Sequence, residues 1–256
     1  MSLLKLILKA AAPLPDIEKS ERFLFIGPHP DDIEIGAGAT AAKLAAMGKR
    51  VCFLICLDGR YGSETIPPEE LIEIRKGEAI ASAKMLGVSD VRFLGLSDGG
   101  FYDEDSLLRG IARIVGDFKP DTVFAPDPCV TSECHADHLN VGNAARRIAY
   151  FAPYGGIMRE YSAQAAPVNA LCYYMTAKPN RYVKTTGFLD KQLCAIFNCH
   201  QSQFPDGSGN AIKLYLKLRS VSFGLRRRSS AAEGFRVLGV THMHCLPEAG
   251  NSELSN

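Results

Sequence analysis

No apolar run in this chain approaches the ~20 residues of a membrane-spanning helix, which sets aside a helical integral membrane protein. Net charge is nearly absent, with 29 Lys and Arg against 28 Asp and Glu, so the basic excess that marks a nucleic-acid surface is missing. No Cys-x-x-Cys pair occurs among the eight cysteines, and the apolar start is interrupted by Lys5 and Lys9 with no adequate signal-peptide core behind it. A reducing, cytoplasmic setting is therefore expected, with Cys52 and Cys56 as buried small hydrophobes in an apolar strand. Internal repeats and low-complexity stretches are also lacking. Gly36-x-Gly38 is missing the third glycine of a dinucleotide fingerprint, and acidic residues stand where a phosphate would lie.

What is present is a pair of short clusters about a hundred residues apart, His29-Pro30-Asp31-Asp32 and His135-Ala136-Asp137-His138, holding three of the six histidines. Imidazole and carboxylate form the ligand set of a borderline metal such as zinc, whose catalytic sites use three protein ligands and keep one position open. Each cluster follows a short apolar run, Arg22 to Gly27 and Asp121 to Pro126, and precedes a helix-compatible segment. Strand, polar loop and helix is the arrangement by which open α/β folds bind ligands outside the carboxyl ends of their strands. Adjacent Asp31 and Asp32 point in different directions, which favours a division of labour: His29 and Asp32 as ligands, Asp31 as general base. In the second cluster one histidine can ligate while the other, held charged by Asp137, stabilises an oxyanion. The plainer alternative is that both clusters are turns and helix caps, with Asp137 or His138 as the N-cap.

Alternating elements are expected: strands over 22–27, 51–57, 91–96 and 122–126, helices over 38–47, 69–86, 104–117 and 139–150. That rhythm predicts an α/β fold, a Rossmann-like, mostly parallel sheet with helices on both faces. Further strands are expected over 170–175 and 182–186 and a helix over 189–200. With 46% hydrophobic residues, 256 residues bury one large core, so a single domain over 1–256 is expected, with an N-terminal extension (1–20) and a disordered tail (249–256). Leu3 to Ala12 reads as a short amphipathic segment, and Arg226-Arg227-Arg228 as a solvated face or a site for a phosphate or acidic partner. His242-Met243-His244 alternates as a strand would and offers two imidazoles to a metal, but a tail of this kind is expected at the surface.

The segment Gly27-Pro28-His29-Pro30-Asp31-Asp32-Ile33-Glu34-Ile35-Gly36-Ala37-Gly38-Ala39-Thr40, with His135-x-Asp137-His138 downstream, resembles the PIG-L or LmbE-like zinc de-N-acetylases. The resemblance runs from about Arg22 to Tyr150 and continues more weakly to Phe235. It implies a hydrolase removing acetyl groups from N-acetylglucosamine-type sugars or their conjugates, with one Zn2+ per chain bound by His29, Asp32 and His138. Asp31 would be the base, and His135 paired with Asp137 the acid or oxyanion-stabilising histidine. Arg75 matches a family arginine near the substrate, and His200 falls in a family-like His-x-Ser-Gln pattern ending at Gln203, which implies a place at the substrate, the alternative being a helix C-terminal cap. Arg60, in the loop Asp58 to Glu64, either meets a sugar or sits in a merely solvated loop, and Asp98, in Ser97 to Gly100, either hydrogen-bonds a sugar hydroxyl or makes the turn. The chain departs from the commonest pattern at Ile33 and Ala136, neither a ligand. Relatives include homo-oligomers, and no residue here selects a state. Two other readings stay open: a non-catalytic sugar-binding protein on the same fold, and a metal hydrolase of another amide bond.

Overall fold

A computed structural model describes residues 10–205 and 208–244, together with Ile7 and Leu246. The amphipathic segment at Leu3 to Ala12 and the tail at 249–256 therefore lie largely or wholly outside the described residues. Strands β1 (Arg22–Gly27), β2 (Arg50–Leu57), β3 (Asp90–Leu96) and β4 (Thr122–Pro126) alternate with helices α1 (Asp32–Ala46), α2 (Pro68–Leu86), α3 (Glu104–Phe118) and α4 (Ala136–Phe151). A short α5 (Gly155–Glu160) leads to β5 (Ala170–Tyr174) and β6 (Arg181–Lys184). Then come α6 (Leu189–Cys194), which continues as a π-turn over Ala195–Cys199, α7 (Asn210–Arg226) and β7 (Ala232–Gly239).

The strands form one sheet in the order β3-β2-β1-β4-β5-β7-β6, parallel from β3 through β5, with β7 antiparallel to both of its neighbours. Alternation along β1 explains why both faces are covered. Phe23 and Phe25 join the core under α1 and α2 with Phe53 and Phe124, while Leu24 and Ile26 join the opposite core under α3 and α4. Phe25 stacks on Phe124 with ring centroids 4.3 Å apart. Cys52, Cys56 and Cys172 are buried free thiols within these cores. Among the described residues no helix is long and apolar enough to cross a membrane.

The helix expected over 38–47 begins six residues earlier, at Asp32. Gly36 and Gly38 argue locally against helix, but tertiary contact overrides propensity. A Cβ on Gly36 would lie 2.2 Å from the Tyr174 ring, whose hydroxyl donates to the Ile26 carbonyl at 2.8 Å. Glycine thus lets α1 sit on β5 and fixes where its N-cap Asp31 and first residue Asp32 emerge. Glu233 of β7 accepts hydrogen bonds from Ala39 and Thr40 N–H and from Gln192, tying the antiparallel edge to the same helix. The strand-like alternation at His242 is instead a 3-10 turn over Val240–Met243, and His242 is buried rather than at the surface. His242 Nδ1 accepts from Gly239 N–H and its Nε2 pairs with the Ala12 carbonyl, so it fastens the N-terminal segment and is no metal ligand.

Candidate active site

After β1 the chain turns to β2 on one side, and after β4 it turns to β5 on the other, while β1 and β4 are themselves neighbours. This is the topological switch point, where an open sheet leaves a crevice beyond the strand ends. Both clusters enter it. His29, Asp31, Asp32, His135, Asp137 and His138 line one cleft of about 330 Å³ together with Tyr61, Arg75, Asp98 and Gln203.

His29, Asp32 and His138 offer ligand atoms all within 4.8 Å of one another. Asp32 Oδ2 accepts the His29 N–H at 2.9 Å and lies 3.2 Å from His29 Nδ1, and Asp32 Oδ1 is 3.4 Å from His138 Nε2. Burial alone would raise the Asp32 carboxyl, but hydrogen bonding from His29 and the charge of His138 hold it down to about 2. Burial would likewise depress His29, and Asp137 and Asp32 lift it to about 10. Such a concentration of anionic oxygen around imidazole is an environment suited to a divalent cation, and N/O donors of this kind fit zinc.

Asp31 caps α1 without using its side chain as the cap, at φ 135° and ψ −27°. A non-glycine residue there is strained, and strain of this kind persists where surrounding contacts over-determine it. Arg75 supplies those contacts. Its guanidinium donates to the Pro30 carbonyl at 2.9 Å and the Gly59 carbonyl at 3.3 Å, and lies 3.5 Å from Asp31 Oδ1. Burial, with adjacent Asp32, pushes the Asp31 carboxyl up to about 7. Asp31 therefore projects into the cleft with its carboxylate free of the helix.

The second cluster is arranged differently from expectation. The N-cap of α4 is His135, whose Nδ1 accepts the Asp137 N–H at 3.3 Å, so in the neutral ring the proton resides on Nε2. The His135 ring stacks on His138 at 4.9 Å and remains half exposed. Asp137 stands nearer to His29 than to its expected partner: its Oδ2 is 3.9 Å from His135 Nδ1, within ion-pair reach of a protonated ring, and 3.0 Å from His29 Nε2. The same carboxylate accepts the Gly99 and Gly100 N–H groups at 2.7 and 2.9 Å, and it is fully buried. Burial raises its pKa, and these three partners outweigh that and bring it to about 2. Asp137 thus orients a histidine 108 residues away and pins the loop after β3. Asp137→Asn, which removes one acceptor oxygen and the charge, is expected to weaken metal binding by about 10- to 100-fold in a chelator-competition titration.

Two further residues depart from their expected places. His200 is fully buried, its Nε2 3.2 Å from Glu34 Oε1, and does not line the cleft. It stands behind the site; Gln203, three residues on, reaches the cleft and donates to the Gly62 carbonyl. Arg60 is turned onto Asp58, with Nε 3.1 Å from both carboxylate oxygens, and does not line the cleft either. Asp98 does line it, with Oδ2 accepting the Tyr61 N–H at 3.3 Å. Glu133 was not singled out from sequence. Its Oε1 accepts the His135 N–H at 2.8 Å and its Oε2 is 3.3 Å from His138 Nδ1. A carboxylate two residues before the His-x-Asp-His cluster was the available signal, since metal-ligating histidines commonly rest on a carboxylate. Cys129 and Cys134 are exposed and belong to neither metal-capable group among the described residues.

Comparison with known proteins places this geometry. A family profile described as PIG-L, GlcNAc-PI de-N-acetylase, matches residues 24–149, the stretch that carries both clusters. Over 250 residues the chain is 31% identical to a diacetylchitobiose deacetylase of Thermococcus kodakarensis, covering 96% of this chain and 92% of that one. The chain belongs to the PIG-L/LmbE-like de-N-acetylase family. A second member, a 1D-myo-inositol 2-acetamido-2-deoxy-alpha-D-glucopyranoside deacetylase of Kineococcus radiotolerans, is 39% identical over 46% of this chain and 35% of its own length. The structure of an N,N'-diacetylchitobiose deacetylase from Pyrococcus horikoshii superposes with a TM-score of 0.87 at 28% identity, covering 96% of this chain and 97% of that one. This PIG-L/LmbE-like chain is a metal-dependent hydrolase of the de-N-acetylase type, built on the mostly parallel α/β sheet expected from its sequence.

Proposed function

We propose that this chain removes the acetyl group from an N-acetylglucosamine-type sugar whose reducing end carries a further group, using one zinc ion held by His29, Asp32 and His138. The observation that carries the proposal is the convergence of these three side chains with Asp31 at the switch point of the sheet. A near full-length match to a diacetylchitobiose deacetylase, against a half-length match to inositol-conjugate deacetylases, favours a small chitooligosaccharide as substrate.

A divalent ion there supplies Lewis acidity toward a carbonyl oxygen and a water of lowered pKa. The chain's own residues do the rest. His29 would bind through Nδ1, because Nε2 is engaged by Asp137, which fixes the ring. Asp31, held by Arg75 at the cleft, takes a proton from the attacking water as its oxygen bonds to the acetyl carbon. His135 Nε2 donates toward the carbonyl oxygen as charge builds there. The C–N bond then breaks, the amine leaves with a proton returned by Asp31, and acetate remains.

The test is acetate release from N-acetylglucosamine, diacetylchitobiose and an N-acetylglucosaminyl-inositol by zinc-loaded protein. Release that stops on chelation and returns with zinc is the expected result. One zinc per chain with no acetate from any of the three would leave a binding protein on this fold.

A further inference from the structure

Tyr61, in the loop after β2, lines the cleft, and Phe101, in the loop after β3, packs against its ring from outside that lining; neither has a role in the chemistry above. Tyr61 is 56% exposed and Phe101 75%, large values for rings on a monomeric surface. Their centroids are 6.0 Å apart with planes at 78°, an edge-on pair. The backbone on both sides of the pair is held by hydrogen bonds. Gly99 and Gly100, at φ 75° and 80°, form a turn no side-chain-bearing residue adopts readily, and both of their N–H groups are held by Asp137. The Phe101 ring lies 3.2 Å from where a Gly99 Cβ would stand, so it rests directly on that turn. On the other side, the Tyr61 N–H is bound to Asp98. The same carboxylate that orients His29 therefore also sets the position of the aromatic pair.

Asp98, which lines the same cleft as Tyr61, is 6% exposed, and its Oδ1 is buried without a hydrogen-bond partner. A buried carboxylate oxygen left unpaired is costly, and a hydroxyl donor is what it lacks. An apolar ring face beside an acceptor for hydroxyl groups is complementary to a pyranose, which carries C–H groups on one face and hydroxyls around its edge.

We infer that Tyr61, Phe101 and Asp98 form a subsite for a second pyranose ring, linked to the amino sugar whose acetamide is cleaved, and that Phe101 is its stacking platform. The inference rests on the reading of the cleft as an amino-sugar site. Binding energy at this distance from the reacting bond is shared by ground and transition states, so Phe101 acts on KM more than on kcat. It sets preference for a disaccharide over the single sugar.

Phe101→Leu, which retains apolar volume and loses the ring, and Phe101→Tyr, which keeps the ring, would be compared with wild type. Two readouts are taken with N-acetylglucosamine and its β-linked disaccharide: the ratio of kcat/KM values, and the ratio of Kd values by calorimetry in the zinc-loaded Asp31→Asn background. The preference for the disaccharide is expected to shrink by about tenfold in both readouts in Phe101→Leu, the size of one aromatic contact, and to persist in Phe101→Tyr. Unchanged ratios in Phe101→Leu would overturn the subsite while leaving the hydrolase reading intact. If wild type released no acetate but the calorimetric preference still depended on the ring, the hydrolase reading would fall and the subsite would stand. A change confined to the oligomeric state, with both ratios preserved, would assign Phe101 to a contact between copies and overturn the inference.

Discussion

Asp31→Asn is expected to keep its metal and to lose roughly a thousandfold in kcat, the scale of a missing general base. The substitution is isosteric, so the turn clamped by Arg75 through the Pro30 carbonyl persists. Among the described residues, two cleft carboxylates, Asp31 and Asp98, stand outside both metal-capable groups, and Asp98 is engaged by the Tyr61 N–H whereas Asp31 immediately precedes the ligand Asp32. Asparagine cannot accept the proton of the attacking water, so the loss falls on turnover. The pair of measurements is acetate release and zinc content by elemental mass spectrometry. Turnover near wild type would move the base role to another group, with His135 as the first candidate.

The second large effect is His138→Ala, expected to reduce zinc from about one per chain to near zero after dialysis and activity to background. A site of three protein ligands that loses one retains only His29 and Asp32, too few to hold the ion against water. The side chain lies at the cleft wall, 16% exposed, so its truncation leaves both cores intact. Circular dichroism would check that. Zinc retained at full stoichiometry in this variant would point to the neighbouring group of His29, His135 and Asp137, whose ligand atoms also lie within 4.8 Å.

Where sequence reading fell short, the reason is visible in particular elements. Helix α7 was not anticipated because its apolar pattern is inverted. Leu214, Leu218 and Leu225 point outward at 58%, 62% and 75% exposure, while Leu216, Ser220 and Gly224 are buried, Leu216 against Leu193 and Ile196. Periodicity locates a buried face only when that face is the apolar one. Strand β7 carries Glu233, Gly234 and Arg236 yet is buried throughout, because it runs between β5 and β6 and its carboxylate is satisfied by α1. A charge in mid-strand reads as a loop until its partners, almost 200 residues earlier, are known.

The sequence by itself determined the parallel half of the sheet, since buried strands such as Phe23 to Ile26 and Cys52 to Leu57 must be short continuous apolar runs. It also determined that two His and Asp clusters stand at equivalent strand ends. Local order decides both, because strand, loop and helix follow from neighbouring residues. Only the tertiary structure decided the partners: that Asp137 serves His29 and the Gly99–Gly100 turn, that His200 lies behind the cleft, and that Phe101 packs against Tyr61 of its lining. Those contacts join segments tens to hundreds of residues apart, and no local pattern encodes which of several nearby donors a buried carboxylate will meet when the switch point closes around it.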